Sequence, residues 1–138
     1  MTRFFAFGCS ATSCNWPTWA DIVAHNYDHY QNWALPGAGN SFIFYSVMEA
    51  IKRNNITKDD TVVVQWSSHI RNDFYHMYSL KNRFNGWKTY GSIFNYHNVK
   101  LYDKKWLSMF FYEPAYFMHT LNNIVAIQGL LDGIGCKY

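Results

Sequence analysis

Strand-like and helix-like segments alternate along this chain of 138 residues. Phe4–Phe7 is an apolar run of strand character that ends abruptly at Gly8. The segment Pro17–His25 then favours a helix, because proline suits the first turn and apolar residues recur on one face. Such alternation predicts right-handed crossovers, which build a parallel sheet covered by helices on both faces.

The same alternation occurs twice more. Tyr30–Leu35 is predicted to be a second short strand, stopped by Pro36–Gly39, and Asn40 is expected to cap the helix that follows. Thr61–Trp66 contains a continuous β-branched run, which is typical of a strand buried on both faces. We therefore expect an α/β fold, a three-layer sandwich whose short parallel sheet has the flavodoxin-like strand order 2-1-3.

The second half of the chain is less regular. Ser67–Lys105 is long, polar and aromatic, and is predicted to be an insertion or lid with little regular structure. A long helix is predicted from Glu113 or Pro114 to about Leu131, and Ile134–Tyr138 is expected to begin a fourth strand. Because such an apolar edge invites pairing with another chain, we expect a homo-oligomer, or association with a partner that supplies the missing edge. No linker or repeat interrupts residues 1–138, which predicts one domain.

Composition narrows the function classes. The chain is 20% aromatic and only 15% charged, which is too apolar for a disordered segment. Its formal charge is +3, and its lysines and arginines are scattered along the sequence without a basic run. We therefore expect no nucleic-acid partner. No apolar stretch approaches the roughly 20 residues of a membrane-spanning helix, and no secretory signal is evident. The cysteines at 9, 14 and 136 have no metal-like spacing, which favours free thiols in the cytoplasm and no metal or other cofactor.

Three loops follow the three predicted strands and must open at the same edge of a parallel sheet, where ligands and catalytic groups collect. Acyl transfer needs a nucleophile, donors for an oxyanion and a base. These loops supply all three kinds of group. The candidate site residues, in chain order, are Ser10, Gly37, Gly39, Asn40, His69, Arg71 and Asp73.

Each candidate also has a purely structural interpretation. Ser10 is either a nucleophile or a turn residue, and the glycines either donate to an oxyanion or simply permit a strained turn. His69 is a candidate base because an unshifted histidine titrates near neutrality, or else a loop histidine facing solvent. The planar guanidinium group of Arg71 either binds a carboxylate or phosphate of a ligand, or forms an ion pair with Asp73.

The order of these motifs resembles that of the SGNH (GDSL-like) hydrolases. Phe7–Ser10 is similar to their first block, Gly-Asp-Ser, with cysteine in place of aspartate. Asn32–Asn40 is similar to the second block, in which a glycine donates to the oxyanion, and Val62–His69 lies where the third block belongs. Members from phages and marine bacteria with a Phe-Gly-Cys-Ser motif are the most similar, which implies the host cytoplasm for a viral protein.

The resemblance implies a serine esterase, for example one that removes acetyl groups from carbohydrates. Ser10 would attack the ester, and the amides of Ser10 and Gly37 with the Asn40 side chain would hold the oxyanion. Two departures from the family pattern bear on catalysis. His69 stands where the family has an oxyanion asparagine, and the late Asp-x-x-His that supplies the base has no counterpart, since Asp73–His76 comes too early.

His69 is therefore the substitute base in this interpretation, and the chain resembles the N-terminal portion of the family fold. The alternative is a non-catalytic module, for example a viral one, that keeps the front half of the fold for binding or assembly.

Overall fold

The computed structural model describes residues 1–75, 87–94 and 101–138, which form a mixed α/β structure. Its strands and helices alternate, as expected, only as far as residue 64. In chain order they are β1 (Arg3–Phe7), α1 (Trp19–Ala24), β2 (His29–Asn32), α2 (Asn40–Asn54), β3 (Thr61–Val64), β4 (Arg71–Tyr75), β5 (Trp87–Ser92), α3 (Lys104–Phe110) and α4 (Glu113–Ile134). No helix in these described ranges is long and apolar enough to cross a membrane.

The main sheet is parallel and has three strands in the order β2-β1-β3. In the centre of the sheet, Phe5 of β1 lies opposite Gln31 of β2 and Val62 of β3. The predicted α/β class and the predicted parallel sheet are confirmed. All three strands run in the same direction, so the loops that follow them leave from the same edge.

The central strand β1 is apolar on both faces. Phe4 and Ala6 pack with Ala20 of α1 on one face of the sheet. Phe5 and Phe7 belong to a larger cluster on the other face, with side chains from α2 and α4. All four of these β1 side chains are fully buried. A strand covered by helices on both faces reads as a continuous apolar run, which is why this one was visible in the sequence.

The edge strand β3 is shorter and less buried than predicted. It ends at Val64, and Val62 is its one fully buried residue among four. The reason is its place at the edge of the sheet, because among the described residues a single parallel bridge, between Thr61 and Lys137, lies beyond it. The Val62 amide donates to the Lys137 carbonyl at 2.8 Å in this bridge.

The predicted fourth strand is therefore reduced to one bridge. The helix α4 continues to Ile134, three residues beyond the predicted end. Gly135 then turns the chain with a φ of +76°, a conformation that glycine adopts without steric cost. After this turn, Lys137 makes the bridge to Thr61.

The prediction of little regular structure in Ser67–Lys105 is wrong for the parts that the structure describes. The strands β4 and β5 form an antiparallel pair, with Phe74 opposite Lys88. Asp103 caps the helix α3, because its side chain accepts from the Trp106 amide at 2.8 Å. The strand β4 has a polar sequence with no alternating pattern, so its pairing depends on distant residues. His76, at the end of the early Asp-x-x-His spacing, lies outside the described residues.

A buried ion pair joins the start of β1 to the loop before β3. Arg3 donates to both carboxylate oxygens of Asp60, at 2.7 and 2.5 Å, and the Thr57 amide donates at 2.7 Å. The Asp60 side chain is only 3% exposed. Burial raises the pKa of Asp60, but the hydrogen bonds from Arg3 and Thr57 outweigh it and leave that pKa below its ordinary value.

Asp60→Asn is expected to lower the free energy of unfolding by about 2 kcal/mol at pH 7. The folded-state pKa of Asp60 lies below the unfolded one, so its stabilisation is present above an ordinary pKa of about 4 and is lost as the pH falls through the folded value. The difference between wild type and variant, measured by urea unfolding, should therefore shrink in acid. The exposed Asp59→Asn serves as the control. A difference that is the same at all pH values would contradict this account of Asp60.

Candidate functional site

The three loops that follow β1, β2 and β3 meet at one edge of the sheet. The Leu35 amide, from the second loop, donates to the Gly8 carbonyl of the first at 3.2 Å. Asn40 joins the second loop to the third, because its carboxamide accepts from the Ser67 amide at 2.7 Å and donates to the Ser67 carbonyl at 3.0 Å. The predicted convergence of the loops is therefore present in the folded chain.

Ser10 lies in the turn directly after β1 and is exposed. The turn is closed by the amides of Thr12 and Ser13, which both donate to the Cys9 carbonyl at 3.0 Å. This leaves the Ser10 hydroxyl at the carboxyl end of the central strand, open to solvent. Its position is compatible with a nucleophile, and equally with a turn residue.

Cys9 is packed beneath Ser10 and is 9% exposed. Its thiol lies beside the hydroxyls of Ser10 and Ser67 and within the electrostatic influence of Arg71. Burial raises the pKa of the Cys9 thiol, but the Ala11 amide, the Ser67 hydroxyl and the Arg71 charge outweigh it, so that pKa lies below its ordinary value. From the sequence, Cys9 was expected to be a free thiol that replaces an aspartate, and nothing in the sequence indicated this polar environment.

The Asn40 carboxamide is engaged in holding the loops together. Besides its contacts with Ser67, its Nδ2 donates to the Thr120 hydroxyl of α4 at 3.0 Å. The residue is buried, with 4% exposure. Sequence analysis expected Asn40 to cap α2, but it is the first helical residue and Gly39 is the N-cap. Its side chain is taken by the third loop and by α4, which is why it does not cap.

Asp73 of β4 supplies the missing cap from outside the helix. Its two carboxylate oxygens accept from the amides of Gly39 and Phe42, each at 2.8 Å. Burial raises the pKa of Asp73, and this outweighs the lowering by the two amides and by the charge of Arg71. A Cβ on Gly39 would lie 2.8 Å from Asp73 Oδ2 and 2.9 Å from Arg71 Cβ, so glycine lets β4 approach this closely.

Gly37 makes the turn that brings the second loop back toward β5. Its φ of +83° is in the left-handed region, which glycine tolerates without strain. Its carbonyl accepts from the Gly91 amide at 3.1 Å. This position therefore has a structural reason to be glycine, in addition to its predicted role at an oxyanion.

His69 is held by a residue from the far end of the chain. Its Nε2 lies 3.0 Å from Oε1 of Glu113, at the start of α4. The Phe117 ring meets the imidazole edge-on, with 5.8 Å between centroids. A carboxylate hydrogen-bonded to a histidine fixes the orientation of its ring. Sequence analysis missed Glu113, because 44 residues separate it from His69.

A cavity of about 330 Å³ opens between α2, the third loop, β4 and α4. Most of the residues that line it have polar side chains, among them Asn40, His69, Arg71, Asn72, Tyr116 and His119. Ser10 is not among the described residues that line it. Arg71 connects the two regions, because it lines the cavity and also acts on the Cys9 thiol.

Within the described ranges, no group of three or more histidine, cysteine, aspartate or glutamate residues is placed to hold a metal ion. Comparison of the whole chain with protein-family models, with curated proteins and with solved structures finds no significant match. Function must therefore be argued from the residues at this edge of the sheet.

Proposed function

We propose that this chain is a cytoplasmic serine ester hydrolase of the SGNH type, with Ser10 as its nucleophile. In this proposal the fold is a shortened three-layer sandwich with the flavodoxin-like strand order, and the substrate is an ester such as an acetyl group on a carbohydrate. The observation that carries the proposal is the exposure of Ser10 at the carboxyl end of β1, where three loops meet. Parallel sheets bind ligands at this edge.

The reaction would proceed through an acyl-serine. Ser10 Oγ attacks the acyl carbon and forms a bond to it, while the hydroxyl proton passes to His69. The amides of Ser10 and Gly37 donate to the oxyanion. The ester C–O bond then breaks, and the alcohol leaves with the proton from His69. Water attacks the acyl-serine in the same way, which releases the acid and restores the hydroxyl.

The contact with Glu113 supports the choice of His69 as the base. When Nε2 carries its hydrogen and donates it to Glu113, Nδ1 is the nitrogen that accepts a proton. In this proposal Glu113 is the acidic member of a serine–histidine–acid triad. Its carboxylate orients the His69 ring during proton transfer. This arrangement replaces the late Asp-x-x-His that the chain lacks.

A fluorophosphonate probe tests the proposal, because it reacts covalently with activated serines. We expect the wild type to be labelled and Ser10→Ala to lose all labelling, since the variant has no nucleophile at that position. Ser68→Ala is the matched control, because Ser68 is an exposed serine on the third loop. Labelling that persists in Ser10→Ala, or that disappears in Ser68→Ala, would contradict the assignment.

A second candidate is a non-catalytic binding or assembly module. It is favoured by the engagement of two predicted oxyanion donors, since the Gly39 amide is taken by Asp73 and the Asn40 amide group by Ser67 and Thr120. In this alternative the edge of β3 beyond the Lys137 bridge pairs with a second copy of the chain. No labelling of the wild type, together with no turnover of p-nitrophenyl acetate above that of Ser10→Ala, favours the module.

A further inference from the structure

We propose that the cavity beside Arg71 binds the anionic group of a small molecule, a carboxylate or a phosphate. This inference rests on the proposed function in one respect, which is that the bound anion belongs to the ester substrate of Ser10. The binding of the anion itself does not require Ser10.

Arg71 has a side-chain donor for which the described residues provide no acceptor. Its Nη1 donates to the Ala38 carbonyl at 3.0 Å, while its Nε is buried and has no hydrogen-bond partner in the described ranges. No ion pair there joins it to a carboxylate. Asp73 affects it electrostatically, but both Asp73 oxygens accept from amides of α2. A partly buried cation with an orphaned donor is costly, and an anion beside it offsets that cost.

The cavity adds neutral donors and histidines to this charge. The Tyr116 hydroxyl accepts from Asn72 Nδ2 at 3.1 Å, which leaves its own hydrogen free to donate. Ser41 and the exposed His119 also line the space. Two carboxylates reduce the positive field. Asp73 occupies the positive end of α2, whose first residues lie in the same wall. Glu113 is the second, but its side chain is 63% exposed and paired with His69.

The size of the space limits the ligand to a small molecule. A volume of about 330 Å³ lies at the lower end of the range for small-molecule sites. Guanidinium groups bind carboxylates and phosphates through paired N–H donors, so both anions fit the same chemistry. Because Arg71 Nε is covered in this structure, contact through that atom requires a small movement of the side chain.

The test follows the side-chain Nε–Hε signals of the arginines by NMR, in protein labelled with ¹⁵N. The chain has four arginines, so at most four such signals occur. Sodium acetate and inorganic phosphate are titrated separately at constant ionic strength, with neutral acetamide as the control for shape. We expect the Arg71 signal to shift and saturate with an anion at millimolar concentrations, and not to shift with acetamide.

Variants of the arginines and of His119 test whether the anion binds beside Arg71, and Ser10→Ala separates anion binding from catalysis. Arg71→Lys should abolish the saturable shifts of neighbouring amide signals, whereas Arg53→Gln, at an exposed arginine of α2 paired with Glu49, should leave them unchanged. If Arg71→Lys fails to fold, His119→Gln should still weaken binding about threefold. Ser10→Ala should bind the anion as the wild type does, so failed ester hydrolysis and failed anion binding are separate results.

Equal, unsaturable shifts at all arginines would overturn the proposal, as would wild-type binding by both Arg71→Lys and His119→Gln. The anion that saturates at the lower concentration identifies the ligand group as carboxylate or phosphate.

Discussion

Gly8→Ala is expected to lower the free energy of unfolding by about 3 kcal/mol. A Cβ at this position would lie 2.2 Å from Thr12 Oγ1 and 2.9 Å from Thr12 Cβ. Both distances are far inside van der Waals contact, so atoms must move. Gly8 directly precedes Cys9 and Ser10, and any movement there displaces the candidate nucleophile as well.

Thr12 has little freedom to move aside. It is fully buried, and its hydroxyl donates to Gln65 Oε1 at 2.6 Å. Its carbonyl accepts from the Thr18 hydroxyl and from Asn32 Nδ2, both at 2.8 Å. These contacts hold Thr12 in place, so the strain from Gly8→Ala is not relieved by a side-chain rotation. The double variant Gly8→Ala/Thr12→Ala should recover part of the loss, because it removes the closer contact.

Urea unfolding followed by tryptophan fluorescence measures the effect. Gly129→Ala is the matched control, because a Cβ there meets nothing within 4 Å and the site lies inside α4. Alanine in a helix interior is more favourable than glycine by about 1 kcal/mol, so this variant should be slightly more stable than wild type. Equal unfolding midpoints for Gly8→Ala and wild type would refute the steric argument.

Asp73→Ala is expected to destabilise the protein by about 2 kcal/mol or slightly more. The substitution leaves the amides of Gly39 and Phe42, at the start of α2, without the acceptor that β4 supplies. It also removes a link between β4 and α2, the two elements that carry Arg71 and Asn40. We therefore expect the cavity to lose its anion affinity together with part of its stability.

Asp73→Asn keeps one carbonyl acceptor and should lose about half as much stability. Asp59→Ala, at an exposed position in the loop before β3, is the control and should unfold like the wild type. Urea unfolding of the four proteins at pH 7 gives the comparison. If Asp73→Ala is as stable as Asp59→Ala, the carboxylate does not cap α2.

The local patterns of the sequence predicted the sheet well. The apolar run of β1 and the periodicity of α2 and α4 depend on residues close together in the chain, and these elements occur where expected. The meeting of the three loops also followed from the sequence, because parallel strands with helical crossovers must release their loops at one edge. The type of each element and the direction of the strands could be predicted because they depend on burial patterns within short segments of the chain.

The partners of the site residues depended on tertiary structure alone. Asp73 was predicted to bind a ligand or to form an ion pair with Arg71, yet it caps α2. The strand that carries it has no alternation of apolar residues, so the sequence did not indicate this role. Glu113 reaches His69 from a helix 44 residues later in the chain. The helix α4 continues past its predicted end and leaves one bridge at Lys137. Periodicity within an element specifies which of its faces is buried. The side chain that faces a given carboxylate or imidazole depends instead on how distant elements pack, and a single sequence does not encode that in any local pattern.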